Sequence, residues 1–219
     1  MGKEIDLLKN YPKSKRNVST RGKTKSNSDR ELARRFGKDF FDGERDVGYG
    51  GFSYDQRFWV DVVPDFVEYW GITPTDSLLD VGCAKGFMLY DFARLVPGLT
   101  FQGVDISEYA LENSLSAVQE SLTLASCDNL PFDDNSFDYT ISITTIHNLD
   151  YQGCLKSLQE IERVSRKGSF ITVDAYRTDD ERKRMEDWNL TALTVLHVDD
   201  WRELFLKAGY TGDYFWFMP

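Results

Sequence analysis

Apolar and polar positions change rhythm twice along this chain. The stretch "SDRELARRFGKDFF" sets Leu32, Phe36 and Phe40 on one helical face, with Ser28 placed to cap it and Gly43 to end it. A glycine- and tyrosine-rich loop, "DVGYGGFSYDQRFW", follows, and the pattern predicts a second helix over residues 56–70. After "GITPTDS", short apolar runs alternate with amphipathic ones. The runs predict strands over 77–81, 100–105, 123–125, 139–143 and 170–174, and helices over 86–95, 108–116 and 152–164. Repeated strand–helix–strand units imply a parallel sheet covered on both faces. The tail reads differently: "DERKRMEDWNL" as a helix, "TALTVLHV" as a strand, "DDWRELFLKAGY" as a helix capped by Asp199, and "YFWFM" as a last strand. Two late strands around a helix predict an antiparallel hairpin that finishes the sheet.

Composition narrows the class. The 219 residues fit one domain of ordinary size, and 41% hydrophobic residues are enough for a sizeable core. A formal net charge of -10 argues against a general polyanion binder. The exception is the early run "KSKRNVSTRGKTK", which reads as a solvated arm or as a lid or anion-binding segment. No apolar run approaches the roughly 18 residues of a membrane span, and "MGKEIDLLKN" lacks the apolar core of a signal peptide, so a cytoplasmic protein is expected. Three scattered cysteines and two histidines, His147 and His197, speak against a disulfide frame and against a histidine metal centre.

The stretch "LLDVGCAKGFMLYDF" carries the first chemistry. Gly82, Ala84 and Gly86 let a ligand approach the main chain where a strand passes into a helix N-terminus. A nicotinamide dinucleotide does not suit it, because the third glycine of that fingerprint would fall on Phe87. Asp80 at the loop entrance would repel a diphosphate but attract an amine or a sulfonium. S-adenosylmethionine has both cations and no phosphate. In "FQGVDIS", Asp105 ends the second strand 23 residues after Gly82, near the ~20 expected of an acid that binds ribose hydroxyls.

These stretches, with "CDNLPFDDNSFDYTISITTIHNL" and "EIERVSRKGSFITVDAY", resemble the successive motifs of class I S-adenosylmethionine-dependent methyltransferases over about residues 70–219. The methyltransferase-11-like small-molecule type, in a bacterial subgroup with a Gly-Tyr-Gly-Gly lid, is the nearest likeness. It implies a Rossmann-like, doubly wound α/β fold with a mostly parallel seven-stranded sheet. Residues 1–54 would be a basic arm, helix and aromatic lid, and 55–219 the methyltransferase domain. The resemblance places Asp80, Gly82, Ala84 and Gly86 around the methionine portion, with Cys83 and Phe87 in the same stretch. It places Asp105 on the ribose, Ile106 on the adenine face, Asp128 at the adenine amino group with Asn129 and Leu130 beside it, and Ile143 and Thr144 at the methyl end. Ala84 stands where the family has a glycine.

Methyl transfer is an in-line displacement, so alignment of the acceptor does most of the work. His147 is the candidate base, set against a histidine merely satisfied by its loop. Asn148, Asp174, Tyr176 and Arg177 are placed to line an acceptor pocket. In the lid, Tyr49 or Tyr54 is expected to reach the active site, and Arg45 and Arg57 to hold an acidic substrate; a hydrophobic plug on the sheet edge is the alternative. The expected acceptor is a small anionic metabolite such as a sugar phosphate or nucleotide-linked sugar. Protein or nucleic-acid methylation through the basic arm, and a cofactor-binding protein without catalysis, are the competing readings. Nucleic acid is disfavoured by the acidic bulk and no membrane partner is expected.

Overall fold

In the computed structural model, which describes residues 2–13, 18 and 25–219, one seven-stranded sheet organises the chain. Its strands are β1 (Ser77–Val81), β2 (Thr100–Asp105), β3 (Leu122–Leu124), β4 (Phe137–Ile143), β5 (Ser165–Tyr176), β6 (Leu196–His197) and β7 (Asp213–Phe217). The order β3-β2-β1-β4-β5 is parallel throughout, and β5 shares its far edge between β7, along 170–174, and β6, along 175–176. Buried strands explain the continuous apolar runs: Leu78, Leu79 and Val81 of β1 are all fully enclosed.

The helices are α1 (Asn27–Ala33), α2 (Lys38–Asp42), α3 (Val63–Trp70), α4 (Phe87–Leu95), α5 (Glu108–Glu112), α6 (Tyr151–Val164), α7 (Asp179–Trp188) and α8 (Val198–Ala208). On one face of the sheet α6 and α8 bury Leu158, Ile161, Trp201 and Phe205 against Val81, Ile171 and Val173. On the other, α3 and α4 bury Phe66, Leu89 and Phe92 against Leu78, Ile141 and Phe170. None of these helices is long and apolar enough to cross a membrane, among the described residues.

The antiparallel ending does not occur. β7 runs parallel to β5, pairing Phe170 with Asp213 through Asp174 with Phe217. The 11 residues of α8 cover about 16 Å at 1.5 Å each, which returns the chain to the start of the sheet before β7 begins. A helical crossover of that kind makes parallel neighbours, whereas antiparallel ones need a tight turn. Residues near the start then cover the β7 edge: Tyr214 N–H donates to Lys3 O (3.0 Å), Ile5 N–H donates to Tyr214 O (2.9 Å), and Glu4 pairs with Arg177 and Arg202.

Local predictions shift in four other places. The helix expected from Ser28 is two helices, because Phe36 takes φ 49° and Gly37 restarts the turn; the cap is Ser26. The helix expected over 56–70 begins only at Val63. "TALTVLHV" pairs at just two residues. His197, not Asp199, caps α8 by accepting from Asp199 N–H at 3.2 Å. The basic run before Lys25 lies mostly outside the described residues.

Candidate functional site

The carboxyl ends of β1, β2, β4 and β5 meet at one edge, and the loop after β1 is the tightest part of it. Gly82 (φ 85°), Ala84 (φ 49°) and Gly86 (φ 73°) are all left-handed. The Gly82 and Cys83 N–H groups donate to Val104 O at 2.7 and 3.0 Å, fastening the loop to β2. A Cβ on Gly82 would overlap the Thr145 side chain, so the position requires glycine for packing as well as for φ. Thr144 (φ 50°) and Phe36 (φ 49°) also face strain, so three of the four non-glycine residues with positive φ among the described residues belong to the β1 loop, the β4 end and the overlying α1–α2 connection. Strain concentrated at one sheet edge is typical of ligand sites.

Asp80 and Asp105 sit under this loop. Asp105 accepts from Ala84 N–H and Ser107 N–H, both at 2.8 Å. Burial raises its pKa above the ordinary carboxylate value, and those N–H groups oppose the rise. Asp80 is buried with no donor to its carboxyl among the described residues. Burial, and then the charge of Asp105, push its pKa up to about 7. Its folded value lies above its unfolded one, so ionising it costs stability, and this contribution declines as pH rises from about 4 to 7. A buried acid without a donor is the counterpart of a missing cation. Ile106, 57% exposed beside Asp105, offers an apolar face to a flat ring. The residues therefore fit an aminoacyl nucleoside that carries positive charge.

The segment holding Asp128, Asn129 and Leu130 is fixed from α6. Glu160 accepts from Leu130 N–H (2.8 Å), and Arg163 bridges Glu160, Phe132 O (2.7 Å) and Leu130 O (3.2 Å). Asp128 opens on a cleft of about 430 Å³ that Leu149, Lys156 and Leu193 also line. Ile143 ends β4, and Thr144 N–H donates to the Thr172 hydroxyl at 2.8 Å. Cys83 and Phe87 are buried packing groups, and burial pushes the Cys83 thiol up.

His147 is buried on the α6–α8 side. Its Nδ1 accepts from Asp174 N–H at 3.0 Å, and its Nε2 lies 3.7 Å from the Asp174 carboxylate. Burial lowers its basicity and Asp174 opposes this, while burial raises the Asp174 acid. The lone pair that would take a proton is thus spent on the main chain in this arrangement. Asn148 donates to Thr144 O (3.4 Å), and its Oδ1 is enclosed without a partner among the described residues.

The overlying segment is aromatic and fastened down. Phe52 stacks on Phe87 (4.9 Å) and Tyr49 on Phe52 (4.3 Å), with Phe41 buried behind them. Lys85 is 7% exposed and pairs with Asp42 at 2.6 Å, because the α2 carboxylate and Phe52 O (2.8 Å) meet its ammonium from above. Across the sheet edge, Lys25 donates to Trp188 O (2.7 Å), Arg30 to Asn189 O, and Arg34 to Thr191 O (3.2 Å) and Ala192 O (3.4 Å). Three cations of the N-terminal part thus latch onto main-chain oxygens at the end of α7.

The other expected contacts are not brought together. Arg45 donates to Tyr49 O, Arg57 is 68% exposed and pairs with Asp55, and Arg177 pairs with Glu4. Tyr176 packs edge-on to His197. Tyr54 donates to Asp91 Oδ1 at 2.7 Å on the flank of α4, and Asp91 Oδ2 is buried with no partner among the described residues. Tyr54→Phe should therefore act on stability: it strips a 2%-exposed carboxylate of its donor and should cost about 1–3 kcal/mol in denaturant unfolding. Turnover should stay within twofold; a larger fall would return Tyr54 to the active site. Sequence reasoning missed Asp42, Thr145 and Arg163, whose partners at Lys85, Gly82 and Phe132 lie far along the chain, and it missed Ser107, which carried the local signal of an N-cap just before a helix.

Residues 79–173 match the family Methyltransf_11, described as a methyltransferase domain. Over 126 residues the chain is 29% identical to a tRNA (carboxymethyluridine(34)-5-O)-methyltransferase of Arabidopsis thaliana, spanning 57% of this chain and 30% of that protein. Over 105 residues it is 36% identical to the cycloartenol-C-24-methyltransferase of the same plant, spanning 45% and 30%. Among solved structures, the [4+2]-cyclase SpnF superposes with a TM-score of 0.57 at 20% identity, covering 72% of this chain and 58% of that one, a likeness of fold. The chain spans only 30–40% of the length of the first curated relatives it matches.

Proposed function

From a chain whose residues 79–173 form a class I methyltransferase domain, we propose an enzyme that transfers a methyl group from S-adenosylmethionine to a small molecule. The observation that carries this is Asp80: a buried carboxylate with no donor among the described residues, in a left-handed loop beside a second acid, Asp105. In this reading Asp80 and the main chain of 82–86 hold the amino-acid end, Asp105 takes the ribose hydroxyls, Ile106 covers the adenine, and Asp128 with Asn129 and Leu130 meets its edge. The bound cofactor would supply an already activated methyl carbon. The protein's part is to hold the acceptor in line behind it and to exclude water, which Phe36, Phe52 and Phe87 are placed to do.

The acceptor's charge follows from which cations are spent. An anionic acceptor would need Arg45, Arg57 or Arg177 to turn inward, and each has a partner elsewhere. In this reading Asp80, Asp105 and Asp128 are taken up by the cofactor, so with those arginines paired elsewhere a neutral acceptor is the better fit. His147 then works as a rigid support unless its bond to Asp174 N–H opens. A nucleic-acid acceptor is the second reading, favoured by the basic run before Lys25 and by the tRNA relative. It predicts binding that weakens steeply with salt.

Isothermal titration across pH tests the proposal. A cationic ligand favours ionised Asp80, so affinity for S-adenosylmethionine should fall about tenfold per unit as pH drops below 7, and Asp80→Asn should flatten the profile. No heat with either S-adenosylmethionine or S-adenosylhomocysteine on folded protein would end the proposal. Labelled methyl cofactor incubated with fractionated metabolites would then give the acceptor class.

A further inference from the structure

We propose that Asp42 is a positioning residue, which holds the cofactor loop in its binding shape from above through Lys85 and so makes the N-terminal lid part of the cofactor site. This rests on the reading of the β1 loop as the seat of S-adenosylmethionine.

Asp42 closes α2, in a segment that the family match does not include. Its carboxylate collects three donors from three elements. Phe52 N–H reaches Oδ1 at 2.8 Å, while Lys85 Nζ (2.6 Å) and the Tyr109 hydroxyl (2.8 Å) share Oδ2. Burial raises the Asp42 acid, but these three donors outweigh it and hold the carboxyl below its ordinary range. Lys85 in turn donates to Phe52 O at 2.8 Å, so its ammonium is held by the lid on two sides.

Lys85 is the residue between Ala84 (φ 49°) and Gly86 (φ 73°). Left-handed backbone at an alanine is unfavourable, and it persists only where neighbours enforce it. Two anchors enforce it here. Asp105 takes Ala84 N–H from below at 2.8 Å, and Asp42 takes the Lys85 side chain from above. The lid also touches the ribose side, since the Ser107 hydroxyl donates to Phe36 O and Ser107 N–H is the second donor to Asp105. The lid carboxylate and the proposed ribose acid therefore clamp opposite sides of one loop. A lid that merely roofed the acceptor would have no reason to put a buried ion pair into the loop below it.

A double-mutant cycle on the full chain tests this, with S-adenosylhomocysteine as the calorimetric probe. Asp42→Asn should weaken binding roughly 10- to 100-fold, as loss of a charged hydrogen bond at the loop implies. Lys85→Gln should do the same, and Asp42→Asn with Lys85→Gln together should add little, because both remove one interaction. Asp42→Glu, which keeps the charge, should recover part of the affinity. With labelled cofactor, the KM for S-adenosylmethionine should rise while turnover at saturating cofactor stays within about threefold. Wild-type affinity in Asp42→Asn, or losses that multiply in the double variant, would overturn the clamp. If Asp42→Asn does not fold, Lys85→Gln carries the same expectation from the other side. Wild-type protein that binds no S-adenosylhomocysteine would instead sink the cofactor assignment and leave the variants beside the point.

Discussion

Asp105→Ala should lower affinity for S-adenosylhomocysteine at least 100-fold. Two ribose hydroxyls donating to one buried carboxylate would each contribute on the order of 1.5–3 kcal/mol. The variant also releases Ala84 N–H and Ser107 N–H, the contacts that hold the β1 loop from below. Thermal stability should move far less, because the change also removes a negative charge that bears on Asp80. Asp105→Asn keeps an acceptor and should fall between. The check is calorimetry beside a melting curve: affinity unchanged in Asp105→Ala would remove the second strand's acid from the site.

Gly82→Ala should be the most damaging single methyl group. At φ 85° an alanine costs about 1–2 kcal/mol in backbone energy alone, and here its Cβ would also overlap the Thr145 side chain. A loss of about 3 kcal/mol would lower the melting temperature by roughly 6–12 °C in a chain of this size. Cofactor binding should vanish with it, since relieving the overlap means moving either the loop or the end of β4. Gly209→Ala is the control: φ is similar at 72° but nothing lies within 4 Å of its added carbon, so only the backbone cost should appear. Equal melting temperatures for the two variants would show that Thr145 does not constrain the loop.

The sequence was most readable where its signals are local. β1 and β4 are short runs buried on both faces, and they announce themselves without reference to the rest of the chain; β2, buried only at Gly103 and Val104, is marked by its apolar residues and the acid that ends it. The glycines of the β1 loop and the acids at 80 and 105 were legible for the same reason, as residue types at fixed distances from strand ends. What failed was tertiary. "YFWFM" looks identical whether its neighbour runs up or down, and only the length of α8 decides direction. Charge showed the gap most clearly. Arg45 and Arg57 look like an anion-binding pair, but they meet Tyr49 O and the Asp55 carboxylate within their own loop, and Arg177, expected in the acceptor pocket, meets Glu4 from far along the chain. A count of cations is no map of which ones are spent. Tyr54 and His147 are similar cases, polar groups whose partners, Asp91 and Asp174 N–H, are 37 and 27 residues away.

The grip of Lys25, Arg30 and Arg34 on the oxygens of 188–192 has a consequence for how such a protein can change. Peptide oxygens are the same whatever amino acid bears them. This grip therefore does not depend on the residue type at Thr191, whereas Asn189, whose amide closes the turn on Ala192, and the buried Leu190 and Ala192 are held by their own contacts. A lineage could change Thr191 by ordinary point mutation with no compensating change in the cations that hold this segment.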